Sequence, residues 1–227
     1  METIRFRGPH LGALATVFAV LFITGLSFVI SFTPGAPHFP SPYDPAAAIV
    51  AYFREHPHDA TLCAFFQFAS AIPIGIFAVT VWSRLRWLGV KAVGPSIALL
   101  GGVLVAVTLI STGSVMWAMA FPGIADDGAV IKAMYYMAFS VGGVGYSVPC
   151  GLLIAGIAVP AGFMKLLPRW MAVFGIVLGV IGETSILSML YPKLVALIPL
   201  TRFPGFVWLI IAGMMLAKRK PLLSPAR

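Results

Sequence analysis

Residues 96–120 read SIALLGGVLVAVTLISTGSVMWAMA and contain no charged side chain. The hydrocarbon core of a bilayer is about 30 Å thick, and an α-helix of about 20 residues crosses it. An uncharged stretch of this length, rich in Ala, Leu, Val and Met, is typical of a membrane-spanning helix. It predicts that this segment crosses a bilayer.

Five further apolar stretches of similar length surround it. The chain has 227 residues, of which 60% are hydrophobic and 10% charged, with a mean hydropathy of +1.00. Soluble domains carry about 25% charged residues, which excludes a water-soluble globule and a disordered chain. A membrane β-barrel would show alternating strands of about ten residues, and the sequence contains none. We therefore predict one all-α bundle over residues 1–227, with six transmembrane helices at about 11–32, 60–82, 96–120, 131–160, 171–191 and 197–217.

The distribution of basic residues predicts the orientation of these spans. If the N-terminus is cytoplasmic, the outer loops contain only Arg54, Lys132 and Lys193, and Arg202 lies within the last span. The other eleven of the 15 basic residues then lie on the inner side: Arg5, Arg7, Arg84, Arg86, Lys91, Lys165, Arg169, Lys218, Arg219, Lys220 and Arg227. This bias predicts that both termini are cytoplasmic. The net charge of +8 then anchors the protein in the bilayer, and we expect no nucleic-acid binding, because no soluble domain is available.

The first outer loop, about residues 33–59, contains a helical pattern of its own. Asp44 and Pro45 form a helix start, since Asp is a good N-cap and Pro fits the first turn. Ile49, Tyr52 and Phe53 follow at helical spacing, and Pro57 ends the pattern. We predict a short amphipathic helix that either lies on the outer membrane face or caps the bundle.

Glu183 is the most informative polar residue, because it lies inside the fifth predicted span. It precedes Tyr191 by eight residues and is therefore about 12 Å below the outer end of that helix. An unpaired carboxylate facing lipid would cost at least a few kcal/mol, so we expect Glu183 to face the interior of the bundle. Arg202, five residues into the sixth span, is a candidate partner at a similar depth.

Other polar residues are predicted in the same outer half of the membrane. The candidate ligand-binding residues are Glu183, Arg202, Gln67, Ser111, Thr112, Tyr135 and Tyr136. They favour two alternatives. In one, they line an outward-facing cavity that binds or transports a small polar ligand. In the other, Glu183 and Arg202 form a purely structural pair in a membrane-embedded interaction or regulatory protein, whose basic segments contact a cytoplasmic partner.

Enzymatic chemistry ranks last among the alternatives. The sequence contains no GxSxG, HExxH or P-loop motif, and no catalytic residue is predicted. His56 and His58 resemble half of a metal site but lack further ligands with suitable spacing, so we predict no metal and no cofactor. Cys63 and Cys150 are predicted at different depths and form no CxxC motif. Pro73, Pro149 and the run Gly142-Gly143-Val144-Gly145 are positions where the second and fourth spans can kink.

Two short motifs near the C-terminal end resemble a known family. They are Leu167-Pro168-Arg169-Trp170 followed by Phe174-Gly175, and Trp208-Leu209-Ile210-Ile211-Ala212-Gly213. Both are similar to the "PRW…G" and "WLI…G" patterns of bacterial integral-membrane proteins in domain-of-unknown-function family four-three-eight-six. The resemblance implies six helices and a bacterial cell (inner) membrane, and it implies no activity. Many members have an acidic residue at the position of Arg202, so no role of that residue transfers to this chain.

Overall fold

A computed structural model describes residues 6–30, 39–41 and 43–219, and within these ranges every regular element is helical. Two short 3-10 helices, Ser185–Met189 and Pro192–Ala196, connect the last two α-helices. The all-α class is therefore confirmed for the described residues. The eight α-helices are α1 (Leu11–Ser27), α2 (Ala46–Glu55), α3 (Pro57–Trp87), α4 (Gly94–Met119), α5 (Gly128–Gly142), α6 (Val144–Phe163), α7 (Arg169–Thr184) and α8 (Leu197–Lys218).

Within the described residues, five helical segments are long and apolar enough to cross a membrane. They are Pro57–Trp87, Gly94–Met119, Gly128–Phe163, Arg169–Met189 and Pro192–Lys218. α1 is apolar and shorter, with 17 residues that extend about 26 Å. The predicted end of the first span at residues 31–32 lies outside the described residues, as do residues 1–5 and 220–227 at the two termini.

The long helices form a closed ring. α1 packs on α3, α3 on α4, α4 on α6, α6 on α7, α7 on α8, and α8 returns to α1. α5 leads into α6 and packs beside α4, and α2 rests on α5. The centre of the ring is filled by large side chains, among them the fully buried Trp208, Tyr146, Phe18 and Phe22.

Glycines allow the neighbouring backbones of this ring to touch. A methyl group added at Gly101 of α4 would lie 2.5 Å from the backbone nitrogen of Leu153, and one added at Gly156 of α6 would lie 2.5 Å from that of Ala98. In the same way, a methyl group at Gly175 of α7 would lie 2.6 Å from the Trp208 ring. Such contacts are expected in a membrane bundle, where close packing replaces the hydrophobic effect between helices.

At one end of the ring, two arginines connect the ends of neighbouring helices by hydrogen bonds. Arg84 of α3 is only 4% exposed and donates hydrogen bonds to the carbonyl oxygens of Leu216 (3.1 Å), Ala217 (3.0 Å) and Arg219 (2.6 Å). Nε of Arg219 in turn donates to the carbonyl of Leu166, between α6 and α7, at 2.8 Å. A cation at the C-terminus of a helix satisfies carbonyls that have no partner within the helix.

At the opposite end, α2 caps the bundle. The predicted apolar residues Ile49, Tyr52 and Phe53 are all buried and pack against Ile131 and Tyr135 of α5 in one cluster. Of the two positions predicted for this helix, the structure shows the capping one. Burial raises the pKa of Tyr52 to about 12, and the nearby Asp59 carboxylate adds to the shift. α2 is thus held by its apolar face.

Candidate functional site

The centre of the candidate site is Arg202, a cation on the inner face of α8. Its guanidinium lies 4.5 Å from the ring centre of Tyr146 and 5.1 Å from that of Phe22, and its Nη2 donates a hydrogen bond to the carbonyl oxygen of Gly142. Guanidinium groups bind favourably over aromatic faces, especially where water is excluded. Helices α1, α5, α6 and α8 therefore meet at this one side chain.

The carbonyl that Arg202 contacts is exposed by an interruption between α5 and α6. Gly143 separates the two helices with φ −86° and ψ −91°. A methyl group at Gly143 would lie 2.5 Å from the carbonyl oxygen of Phe139, and one at Gly142 would lie 2.8 Å from Cγ2 of Thr112. The interruption therefore requires glycine at both positions, and it leaves the Gly142 carbonyl available to a side-chain donor.

The predicted irregularity of the fourth span is thus present at Gly143. Pro73, which was expected to perturb the second span in the same way, lies inside the continuous 31-residue helix α3. Neighbouring helices in a membrane bundle commonly compensate for the hydrogen bond that an internal proline removes.

Arg202 has no carboxylate partner in the part of the chain that the structure describes. The ion pairs found there, Arg54–Asp126 and His56–Asp59, both lie at the α2 end of the bundle. Arg202 is half-buried and its Nε is fully buried. A cation in such a position without a counter-ion is costly, because desolvation is not compensated by an opposite charge. The Gly142 carbonyl and the two aromatic rings offset only part of that cost.

Several buried polar atoms close to Arg202 also lack a hydrogen-bond partner among the described residues. These atoms are Nε of Arg202, Oη of Tyr146, Oγ of Ser147 and Oγ1 of Thr112. Ser147 follows Tyr146 in α6, and the Thr112 side chain lies against Gly142. Leaving such an atom unpaired costs about 1–3 kcal/mol each. Nε of Arg202 can only donate, whereas the three hydroxyls can donate or accept. The guanidinium and the neighbouring Tyr146 hydroxyl can therefore both donate to an acceptor that carries negative charge.

The expectation that Glu183 faces the interior of the bundle is wrong. Its side chain is exposed on the outer surface of α7, and no hydrogen bond or ion pair joins it to another described residue. The glycine face of α7 explains this orientation. A methyl group at Gly182 would lie 2.8 Å from the Ser147 carbonyl oxygen, and one at Gly179 would lie 2.9 Å from Cβ of Ala155. The contact with α6 leaves no room for a side chain at Gly182, and Glu183 lies about 100° further round the helix than Gly182, where its side chain is exposed.

Of the other predicted site residues, Thr112 is linked to Arg202 indirectly, since it packs against Gly142, whose carbonyl accepts the Arg202 hydrogen bond. Gln67 is buried in α3, where its amide donates to Sγ of Cys63 at 3.1 Å. Ser111 is half-buried on α4 and its hydroxyl donates to the Val107 carbonyl of its own helix. These two residues therefore complete local hydrogen bonds rather than a shared site.

The two predicted tyrosines belong to the region near α2. Tyr135 is buried in the capping cluster, where its hydroxyl donates to the carbonyl oxygen of Pro40. Tyr136 is exposed, with the Lys132 ammonium 5.8 Å from its ring centre. The sequence-based set thus separates into Arg202 and, next to its partner Gly142, Thr112; Tyr135 in the α2 cap; and individual positions on separate helices.

Tyr146, Phe22 and Gly142 were not among the predicted site residues. The glycine run at 142–145 pointed to an irregular helix, and Tyr146 follows it directly. That adjacency is the signal that identifies this part of the site. Phe22 has no such signal, because it is one of many aromatic residues in an apolar stretch.

Comparison of the chain with known proteins gives no match to a family model, a curated protein or a solved structure. The Arg202 cluster is therefore the feature from which a function has to be inferred.

Proposed function

We propose that the protein is a six-span protein of the bacterial inner membrane that binds a small monovalent anion at Arg202. The carrying observation is the Arg202 guanidinium against the Tyr146 ring, with Nε of Arg202 and Oη of Tyr146 both buried and unpaired and no carboxylate beside them among the described residues. A bound anion would neutralise the cation and accept the free hydrogen bonds together. One guanidinium matches one negative charge, which favours a halide, nitrate or a short carboxylate over a dianion.

The membrane topology is part of this proposal. α1 joins the five longer segments as a sixth span, because 17 apolar residues reach the lower limit for crossing a bilayer. The predominance of basic residues at one end of the bundle supports cytoplasmic termini. Arg202, near the start of α8, then lies in the outer half of the membrane, and anions would reach it from outside. Membership of domain-of-unknown-function family four-three-eight-six is proposed on the two motifs alone.

A second candidate function has its own support. The hydrogen bond from Arg202 to Gly142 and the two aromatic contacts are what a purely structural arginine at a helix interruption would make. In that case the protein is a membrane-embedded interaction or regulatory protein, and the buried polar groups only specify helix packing.

Anion binding by purified protein in a neutral detergent distinguishes the two. Isothermal titration with sodium chloride, nitrate and acetate at constant ionic strength, with gluconate as the balancing anion, should give a saturable heat for wild type. Arg202→Gln should abolish it, and Arg202→Lys should weaken it while retaining the fold. Arg86→Gln, which replaces an exposed arginine of α3 at the basic end, is the matched control and should leave the heat unchanged. No saturable binding by wild type, with Arg202→Gln merely less stable, would support the packing role instead.

A further inference from the structure

The turn between α6 and α7 carries a lysine in a backbone conformation that favours glycine. Lys165 has a φ of 54°, the only positive φ found at a non-glycine position in the described residues. Its N–H donates to the Gly162 carbonyl at 3.0 Å, and the N–H of Leu166 donates to the Ala161 carbonyl at 2.8 Å. These two bonds form a Schellman turn, whose left-handed position is usually glycine. A lysine here stores strain that glycine would avoid.

Packing does not explain the lysine, because its side chain is exposed. Leu166 and Leu167, which follow it, are buried, but two aromatic residues of the same turn are exposed: Phe163 is 86% and Trp170 is 60% exposed. Arg169, the first residue of α7, is also exposed. The guanidinium of Arg219 contacts the same turn, because it donates a hydrogen bond to the Leu166 carbonyl oxygen. Aromatic rings beside cations are typical of segments at the level of lipid headgroups.

The positive charge of this turn is not neutralised within the described residues. Arg86, Lys91 and Lys218 lie exposed at the same end of the bundle. Glu183 lies near the far end of α7, and the remaining described acidic residues lie at the opposite, α2 end: Asp44, Glu55, Asp59, Asp126 and Asp127. The complementary negative charge must therefore come from outside this part of the chain.

We propose that the α6–α7 turn is a binding site for the headgroup of an anionic phospholipid. The lipid phosphate lies between Lys165 and Arg169, and the rings of Phe163 and Trp170 contact the glycerol and upper acyl region. A lipid fits better than a soluble phosphate, because two exposed aromatic rings gain nothing from a ligand that has no apolar part. The strained lysine provides the charge at this position. This site lies at the other end of the molecule from Arg202 and is independent of anion binding there.

Thermal unfolding of the full chain in a neutral detergent, with added phosphatidylglycerol or phosphatidylcholine, tests the proposal. Phosphatidylglycerol should raise the Tm of wild type by at least about 2–4 °C more than phosphatidylcholine. Lys165→Gln keeps the strained backbone and removes the charge, so it should lose most of that difference. Lys165→Gly should be more stable than wild type without lipid, by about 2–4 °C, and should also lose the response to phosphatidylglycerol. Lys193→Gln, an exposed lysine at the opposite end, should respond as wild type does.

Three outcomes would overturn the proposal. An equal response of wild type and Lys165→Gln to phosphatidylglycerol would show that the lysine takes no part. A lower Tm for Lys165→Gly in detergent alone would show that the lysine supports the fold. The same stabilisation by inorganic phosphate at equal concentration would show that the site takes a free anion instead of a lipid.

Discussion

Replacement of Arg84 by glutamine tests whether the Arg84 guanidinium stabilises the protein by capping the C-terminal end of α8. Three carbonyl oxygens accept hydrogen bonds from Arg84, at 2.6 to 3.1 Å, and its guanidinium lies 4.4 Å from the ring centre of Trp87. A hydrogen bond to a charged group contributes about 1.5–3 kcal/mol net. Water can replace some of these hydrogen bonds at a helix end. We therefore count two bonds at about 1.5 kcal/mol each, which gives a loss of about 3 kcal/mol in the free energy of unfolding. For a chain of this length the loss corresponds to a decrease in Tm of about 6–12 °C.

The two cysteines provide the assay. Cys63 and Cys150 are both free and buried, so a thiol-reactive fluorogenic dye labels them only as the bundle opens. Arg86→Gln is the matched control. Arg86 lies two residues after Arg84 and is exposed, and its hydrogen bond from Nη1 to the Lys91 carbonyl oxygen is long at 3.4 Å. It should change the free energy of unfolding by no more than about 0.5 kcal/mol. Equal Tm values for the two variants would refute the capping role of Arg84.

Three further predictions concern packing and titration. Gly175→Ala should lower the Tm, since the added methyl group would lie 2.6 Å from the buried Trp208 ring; the expected cost of overpacking is about 1–3 kcal/mol, measured by the same dye assay. Phe53→Ala should destabilise the α2 cap by about 3–5 kcal/mol and increase hydrogen exchange in α2, because its side chain is 1% exposed. The α2 cap should also become less stable as the pH rises from about 10 towards 12. Tyr52 loses its proton near pH 10 in the unfolded chain, whereas in the folded chain its pKa is raised to about 12 and it keeps the proton. Tyr52→Phe should reduce that loss, as measured by exchange in α2 at each pH.

Hydropathy and helical periodicity were sufficient to predict much of the fold. The uncharged stretch 96–120 corresponds to α4, and the spacing of Ile49, Tyr52 and Phe53 predicted the buried face of α2. These signals are local, because a membrane helix or an amphipathic helix is specified by its own residues. The irregularity at Gly143 was also visible in a local glycine run.

The site was harder to predict, because it depends on which faces of different helices meet. Glu183 and Arg202 have similar predicted depths, and depth alone suggested a pair. The azimuthal position of Glu183 is set by the contact of α7 with α6 at Gly182, which turns Glu183 outward. The same limitation explains why Tyr146 was missed: its proximity to Arg202 follows from the packing of α6 against α8, and no spacing in the sequence encodes that contact.

Anomalous X-ray scattering from crystals grown with bromide in place of chloride would test the central claim most directly. The account predicts a peak within hydrogen-bond distance of Nε of Arg202 in wild-type protein, and none there in Arg202→Gln. An electron density map in which Arg202 meets only the Gly142 carbonyl, protein atoms and water, without an anomalous peak, would contradict it.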